Sequence, residues 1–242
     1  MCGRYKLATP AEILRDVFGF VERPNLPARY NIAPTQDAPV VRQRRQPRGE
    51  RTVRNLRWGL IPSWAKDAKI ATSLINARAE SLASRPAFAR AFRQRRCAVL
   101  ADGFYDWPAE GTDRQPYLVT RRDDAPFAFA GLWDRWIERR DGGETPIDTF
   151  TIVTTAANDL LRRLHPRMPV ILVGAALDIW LDPESDPARL TPVLGGAPSA
   201  DLQYVAVGKQ VNSARIDEPA LVTPVGPEVA AVDGGLSGPT GG

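Results

Sequence analysis

The sequence predicts an α+β fold: a single domain around a curved, barrel-like, mainly antiparallel sheet with short flanking helices. Three observations lead there. A chain of 242 residues is long enough to enclose one large core. Its strand-like runs are many and its helix-like runs short, without the regular strand–helix alternation of a parallel sheet. No internal repeat divides it, and 43% hydrophobic with 25% charged residues suits a globular chain.

Taken in order, TPAEILRDVFGF (9–20) predicts a short amphipathic helix. Thr9 serves as N-cap, Pro10 as first helical residue, Glu12 completes a capping box and Gly19 stops the helix. PARYNIAPTQ (27–36) reads as a proline-punctuated extended loop. APVVRQ (38–43) and TVRNLRWGLI (52–61) read as strands joined by an exposed arginine loop, followed by the loop IPSWAKDAK. NARAESLASRPAFARAF (76–92) predicts a turn and then a helix, broken before Pro86. RCAVLADGFYDW (96–107) is one buried strand with a polar, aromatic end. PYLVTRR, APFAFAGLWDRW and DTFTIVTT are further strands, AANDLLRRLH a helix ending at His165, and AALDIWL another helix. QYVAVGKQVN (203–212) is the last strand and loop. The domain is expected over 1–225, and the Gly/Pro/Ser-rich 226–242 is expected to be a disordered tail.

Composition excludes several classes. No apolar run approaches the roughly 18–20 residues that cross a bilayer, and no charged-then-apolar leader opens the chain. Two cysteines, Cys2 and Cys97, and one histidine make neither a disulfide framework nor a metal set. No P-loop or dinucleotide fingerprint occurs, so neither metal nor cofactor is expected. The expected location is the cytoplasm. A net charge of +4 suits a polyanionic partner. The basic residues cluster in RQRRQPRGER (42–51) and ARAFRQRR (89–96), which fit solvated surface as well as phosphate contacts.

Four places hold candidate chemistry. Cys2, once Met1 is removed, would carry a free α-amine and a thiol with ordinary pKa values of about 7.7–8.0 and 8.5. Such a 1,2-aminothiol condenses with aldehydes, or serves as an N-terminal nucleophile for amide hydrolysis; Cys2 also fits as a small apolar residue under a strand. Asn76 and Arg78 in LINARAES suit turn chemistry, or an orienting amide and a phosphate clamp. Asp106, between Tyr105 and Trp107, suits a partly desolvated general acid or a strand-end aspartate. His165 in LHPRMPVIL is held in a rigid loop and offers an imidazole, the usual group for proton transfer near neutrality.

The ordered set MCGR, RYNIAPTQ, WGLIPSW, NARAES, ADGFYDW and HPRMPVIL resembles the SRAP family of SOS-response-associated peptidases, or abasic-site processing proteins, from residue 2 to about 225. The resemblance implies the SRAP fold and capture of abasic single-stranded DNA in the DNA damage response. It implies a Schiff base and then a thiazolidine crosslink on the N-terminal cysteine, with autoproteolytic or aminopeptidase removal of Met1. Residue by residue it makes Cys2 the nucleophile, Asn76 its orienter, Asp106 a catalytic carboxylate and His165 the proton-transfer group. Where the family has glutamate before the tryptophan, this chain has Asp106, one methylene shorter, and about 1 Å of misplacement can cost 100-fold. Arg4 and Arg78 are expected on phosphates beside the lesion and Trp64 on a base. The protein is expected to act as a monomer without membrane or metal partners, at the nucleoid when DNA-bound. A cysteine peptidase acting on itself or other proteins is the alternative, and a non-catalytic nucleic-acid module a third reading.

Overall fold

The structure, a computed structural model, describes residues 2–44, 49–108, 114–140, 143–232 and 235–237. Met1, Arg45 and Arg48 of the arginine loop, and the last residues of the expected tail lie outside these. In chain order the strands are β1 (Arg4–Leu7), β2 (Arg29–Ile32), β3 (Asp37–Gln43), β4 (Arg51–Trp58), β5 (Asn76–Arg78), β6 (Arg96–Ala101), β7 (Gly103–Asp106) and β8 (Tyr117–Arg121). They continue with β9 (Phe127–Arg140), β10 (Gly143–Ala156), β11 (Arg167–Pro169), β12 (Ile171–Leu172), β13 (Leu202–Val207), β14 (Pro224–Val232) and β15 (Gly235–Ser237). The helices are α1 (Ala11–Phe18), α2 (Pro86–Gln94), α3 (Ala175–Leu181) and α4 (Pro187–Val193).

Five strands close on themselves in the order β10–β4–β3–β6–β9 and back to β10, making a small barrel. Every pairing in the ring is antiparallel except β10 with β4. A five-strand ring has room inside only for side chains, and Val40, Val99, Phe129, Phe150 and Trp58 are all fully buried. Their rings interlock: Trp58 stacks on Phe150 with centroids 6.2 Å apart, and Tyr5 meets Phe129 edge-on at 5.6 Å. Gly131 on β9 marks the tightest approach, since a Cβ there would lie 2.8 Å from Val99 Cγ2 and 2.9 Å from Cys97 Sγ.

A second sheet runs β15–β14–β13–β8–β7–β1–β2. The two sheets are joined at Asp102, where the chain leaves β6 in the barrel and enters β7. The buried stretch 96–107 is thus two strands rather than one. The Asp102 carboxylate accepts hydrogen bonds from Lys6 Nζ (2.7 Å), Ala8 N (2.7 Å), Thr9 N (2.8 Å) and Thr9 Oγ1 (2.8 Å), and so turns the chain.

That bond also corrects the first helix, because Thr9 serves Asp102 and α1 has Pro10 at its N-cap with no side-chain cap. Gly19 does end it, in the left-handed conformation. The extended loop 27–36 contains a true strand, β2, paired with β1. AANDLLRRLH is not a helix but a single 3₁₀ turn at Leu161–Arg163, begun by Asn158 Oδ1 accepting from Leu161 N (2.9 Å). Asn and Asp side chains compete with helical backbone bonds in this way. At the far end, β14 pairs with β13, so the sheet continues past residue 225. Among the described residues no helix is long and apolar enough to cross a membrane.

Candidate functional site

The register of the second sheet carries the N-terminus to the carboxylate. β1 pairs antiparallel with β7, Arg4 opposite Tyr105, so the residues before Arg4 run beside Asp106. β5 pairs in parallel with β10, Asn76 opposite Ile152, and this edge brings Asn76 to the same place. Asn76 Nδ2 donates to the Cys2 carbonyl at 2.9 Å. Among the described residues, Asn76 Oδ1 is buried and has no hydrogen-bond partner. Cys2 is 1% exposed and Asp106 5%.

Burial raises the Cys2 thiol well above its usual value, and the charge of Asp106 raises it further. Burial likewise raises Asp106, opposed by a hydrogen bond from Trp107 N and by the nearby His165. The 3₁₀ turn sets His165, whose Nδ1 accepts from Arg167 N at 3.0 Å. The same Nδ1 lies 3.2 Å from Arg167 O, so both polar groups of the Arg167 backbone hold this edge of the ring. Cys2, Asn76, Asp106 and His165 come from four separate segments and meet at one end of the barrel.

The DNA-contact candidates divide. Arg78 is exposed, two residues beyond Asn76. Arg4 is half-buried and bound by the protein itself: Nη1 donates to Asn31 Oδ1 (2.9 Å) and Val211 O (2.7 Å), and Nη2 to Asn212 O (3.2 Å). Its observed work is to pin the 211–212 loop to β2. Trp64 is 59% exposed on a loop fixed by Ser63 N to Asp134 Oδ2 (2.9 Å) and Trp136 Nε1 to Ala65 O (2.7 Å). Among the described residues no group of three or more His, Cys, Asp or Glu is placed to hold a metal.

Sequence reasoning missed the supports. Arg167 forms a two-pronged ion pair with Glu80 (2.6 and 3.0 Å) and donates to Thr154 O (2.6 Å), tying β5's end to β10 and β11. This pair pulls Glu80 below its usual carboxylate range. Asn31 is fully buried and donates to Ser213 O and Ile216 O. Both residues lie inside the motifs HPRMPVIL and RYNIAPTQ, but their partners are far away in sequence.

A closed barrel flanked by a second sheet, whose strand β1 delivers a cysteine to the amide of Asn76, the buried carboxylate of Asp106 and the imidazole of His165, defines a class: proteins with a candidate nucleophile at residue 2. The chain belongs to the SRAP family, described as SOS response associated peptidase, whose sequence model matches residues 1–214. It is 35% identical over 227 residues to the abasic site processing protein YoqW of Bacillus subtilis, covering 92% of this chain and 99% of that one. It is 30% identical over 265 residues to the abasic site processing protein HMCES of Gallus gallus, covering 93% of this chain and 78% of that protein. The fold matches a crystal structure from Bacteroides thetaiotaomicron at TM-score 0.82 and 24% identity, over 93% of this chain and 100% of the other.

Proposed function

We propose that this chain processes abasic sites in single-stranded DNA, capturing the ring-opened sugar on Cys2 after Met1 is removed. The observation that carries this reading is Asn76. Its Nδ2 holds the Cys2 carbonyl while its buried Oδ1, among the described residues, lacks a donor. An unmet buried acceptor costs about 1–3 kcal/mol, and an α-amine freed at Cys2 supplies the donor beside it. The names of the relatives, at 30–35% identity, support the substrate class.

The chemistry balances without an oxidant. The amine nitrogen adds to the aldehyde carbon C1′, giving a carbinolamine; water leaves as the C=N bond forms. Cys2 Sγ then adds to C1′ and its proton passes to nitrogen, closing the five-membered thiazolidine. Asp106, its pKa raised by burial, holds a proton closer to neutrality and donates it to the departing hydroxyl. His165 serves sugar-ring opening and reversal by proton transfer through its imidazole. Arg78 takes a phosphate beside the lesion and Trp64 stacks on a base, worth about 1–3 kcal/mol. Arg4, half-buried beside β7, would add a phosphate contact through donors its internal bonds leave over.

The test is an adduct with an abasic single-stranded oligonucleotide that survives denaturation. Wild type is expected to form it, and Cys2→Ala to lose it completely. No adduct from protein whose intact mass shows Met1 gone overturns the reading, and peptide turnover in trans would then favour the peptidase alternative.

A further inference from the structure

Arg42 and Arg44 of the first arginine cluster and Arg95 of the second come together at the far end of the barrel. There, Arg42, Arg44, Arg54, Arg95 and Arg135 line a groove of about 390 Å³ with Trp133. The Arg42 guanidinium lies 4.3 Å from the Trp133 ring centroid and that of Arg95 lies 5.1 Å away, so the indole orients both. The carboxylates that pair with these arginines, Glu22, Glu50, Asp134 and Asp148, are not among the residues that line the groove. Asp148 alone serves both Arg42 and Arg135, leaving more cation than carboxylate. A guanidinium has five donors, so each can hold its carboxylate and still turn hydrogens outward.

The groove is also tied to the Trp64 loop through Asp134. Asp134 accepts from Ser63 N at 2.9 Å and from Arg95, joining the loop to the groove wall through one carboxylate. Arg135 and Asp148 face each other on β9 and β10, six residues along β10 from Thr154 beside the candidate site. At about 3.3 Å per residue that separates the two by roughly 20 Å.

We propose that this groove is a second contact site for the phosphodiester backbone of single-stranded DNA, gripping the strand beyond the lesion after it passes Trp64. The inference rests on the DNA-binding part of the proposed function and extends its footprint to a surface remote from Cys2. Burial lowers the Arg42 pKa from its usual value, a cost that a nearby phosphate would offset.

The test compares wild type with the triple variant R44Q/R54Q/R135Q, substituted at half-exposed side chains outside the barrel core. Equilibrium binding to undamaged single strands is measured across salt concentrations, with short strands of four nucleotides and long ones of about twenty. Losing up to three phosphate contacts is expected to flatten the salt slope for the long strand by about 2, at about 0.7 per contact, and to weaken binding at 0.1 M salt at least tenfold. Binding of the short strand, and adduct yield at saturating abasic oligonucleotide, are expected to stay unchanged. W133L, which leaves every charge in place, is expected to weaken the long strand only. Equal affinity and slope for folded triple variant and wild type on the long strand overturns the proposal. Because binding is read without crosslinking, failure of Cys2 chemistry would not be confused with failure of the groove.

Discussion

Asp106 is the residue where packing and chemistry meet. Its carboxyl is buried and its pKa raised, so the folded state keeps the proton at pH values where the unfolded chain, near 3.9, has lost it. The folded protein then binds more protons than the unfolded one, and this contribution to stability is present below about pH 3.9 and lost as pH rises through the folded value. Asp106→Asn removes it at nearly constant shape. The melting temperature of Asp106→Asn minus that of wild type is therefore expected to grow from pH 4 towards neutrality, as followed by thermal denaturation; a flat difference would contradict the raised pKa. In adduct kinetics the same variant is expected to be slow, at a cost of the 10²–10⁴-fold typical of a lost general acid. Asp106→Glu tests reach: faster crosslinking than wild type would show that the shorter side chain limits this protein. Asp106 and His165 were visible as chemistry-bearing residues in the sequence. Arg167 was not singled out, because its value lies in reaching Glu80 across 87 positions of chain.

Among the elements, β9 shows how strongly the barrel constrains its residues. Gly131 faces Cys97 in the register and stands where any Cβ would strike Val99 and Cys97 at under 3 Å. These neighbours are fully buried and cannot swing away. Gly131→Ala is expected to destabilise the fold by about 1–3 kcal/mol, the usual cost of overpacking, measurable by denaturant unfolding. An unchanged midpoint would mean that β6 and β9 separate more easily than their ladder implies. At this scale the sequence was read well where apolar runs were long, as in β3, β4, β6 and β10. It was read poorly where a side chain decided the backbone: Asp102 split one expected strand into two, Asn158 replaced an expected helix with a 3₁₀ turn, and a glycine or proline pattern could not reveal either.

For the whole molecule, the N-terminus is a structural strand as well as the end proposed to react. β1 lies between β7 and β2, so the chain from Arg4 onward is fixed whether or not Met1 is present. A chain with a non-removable N-terminal extension is accordingly expected to melt within a degree or two of the processed protein yet form no adduct, because its α-amine lies elsewhere. Crosslinking by such a chain at the processed rate would remove the amine from the mechanism. The fold class was legible in the sequence because strand-like runs outnumber helical ones and recur without βαβ alternation. The family was legible because six short motifs stand in order. The sequence by itself thus pointed to the residues proposed to carry chemistry: Cys2, Asn76, Asp106 and His165. Only the tertiary structure decided that Asn76 holds the Cys2 carbonyl, that Arg4 binds the 211–212 loop, and that Arg42, Arg44 and Arg95, from separate clusters, line one groove. Those outcomes depend on strand register and barrel closure, which are set by packing among residues far apart in the chain and leave no local periodicity to read.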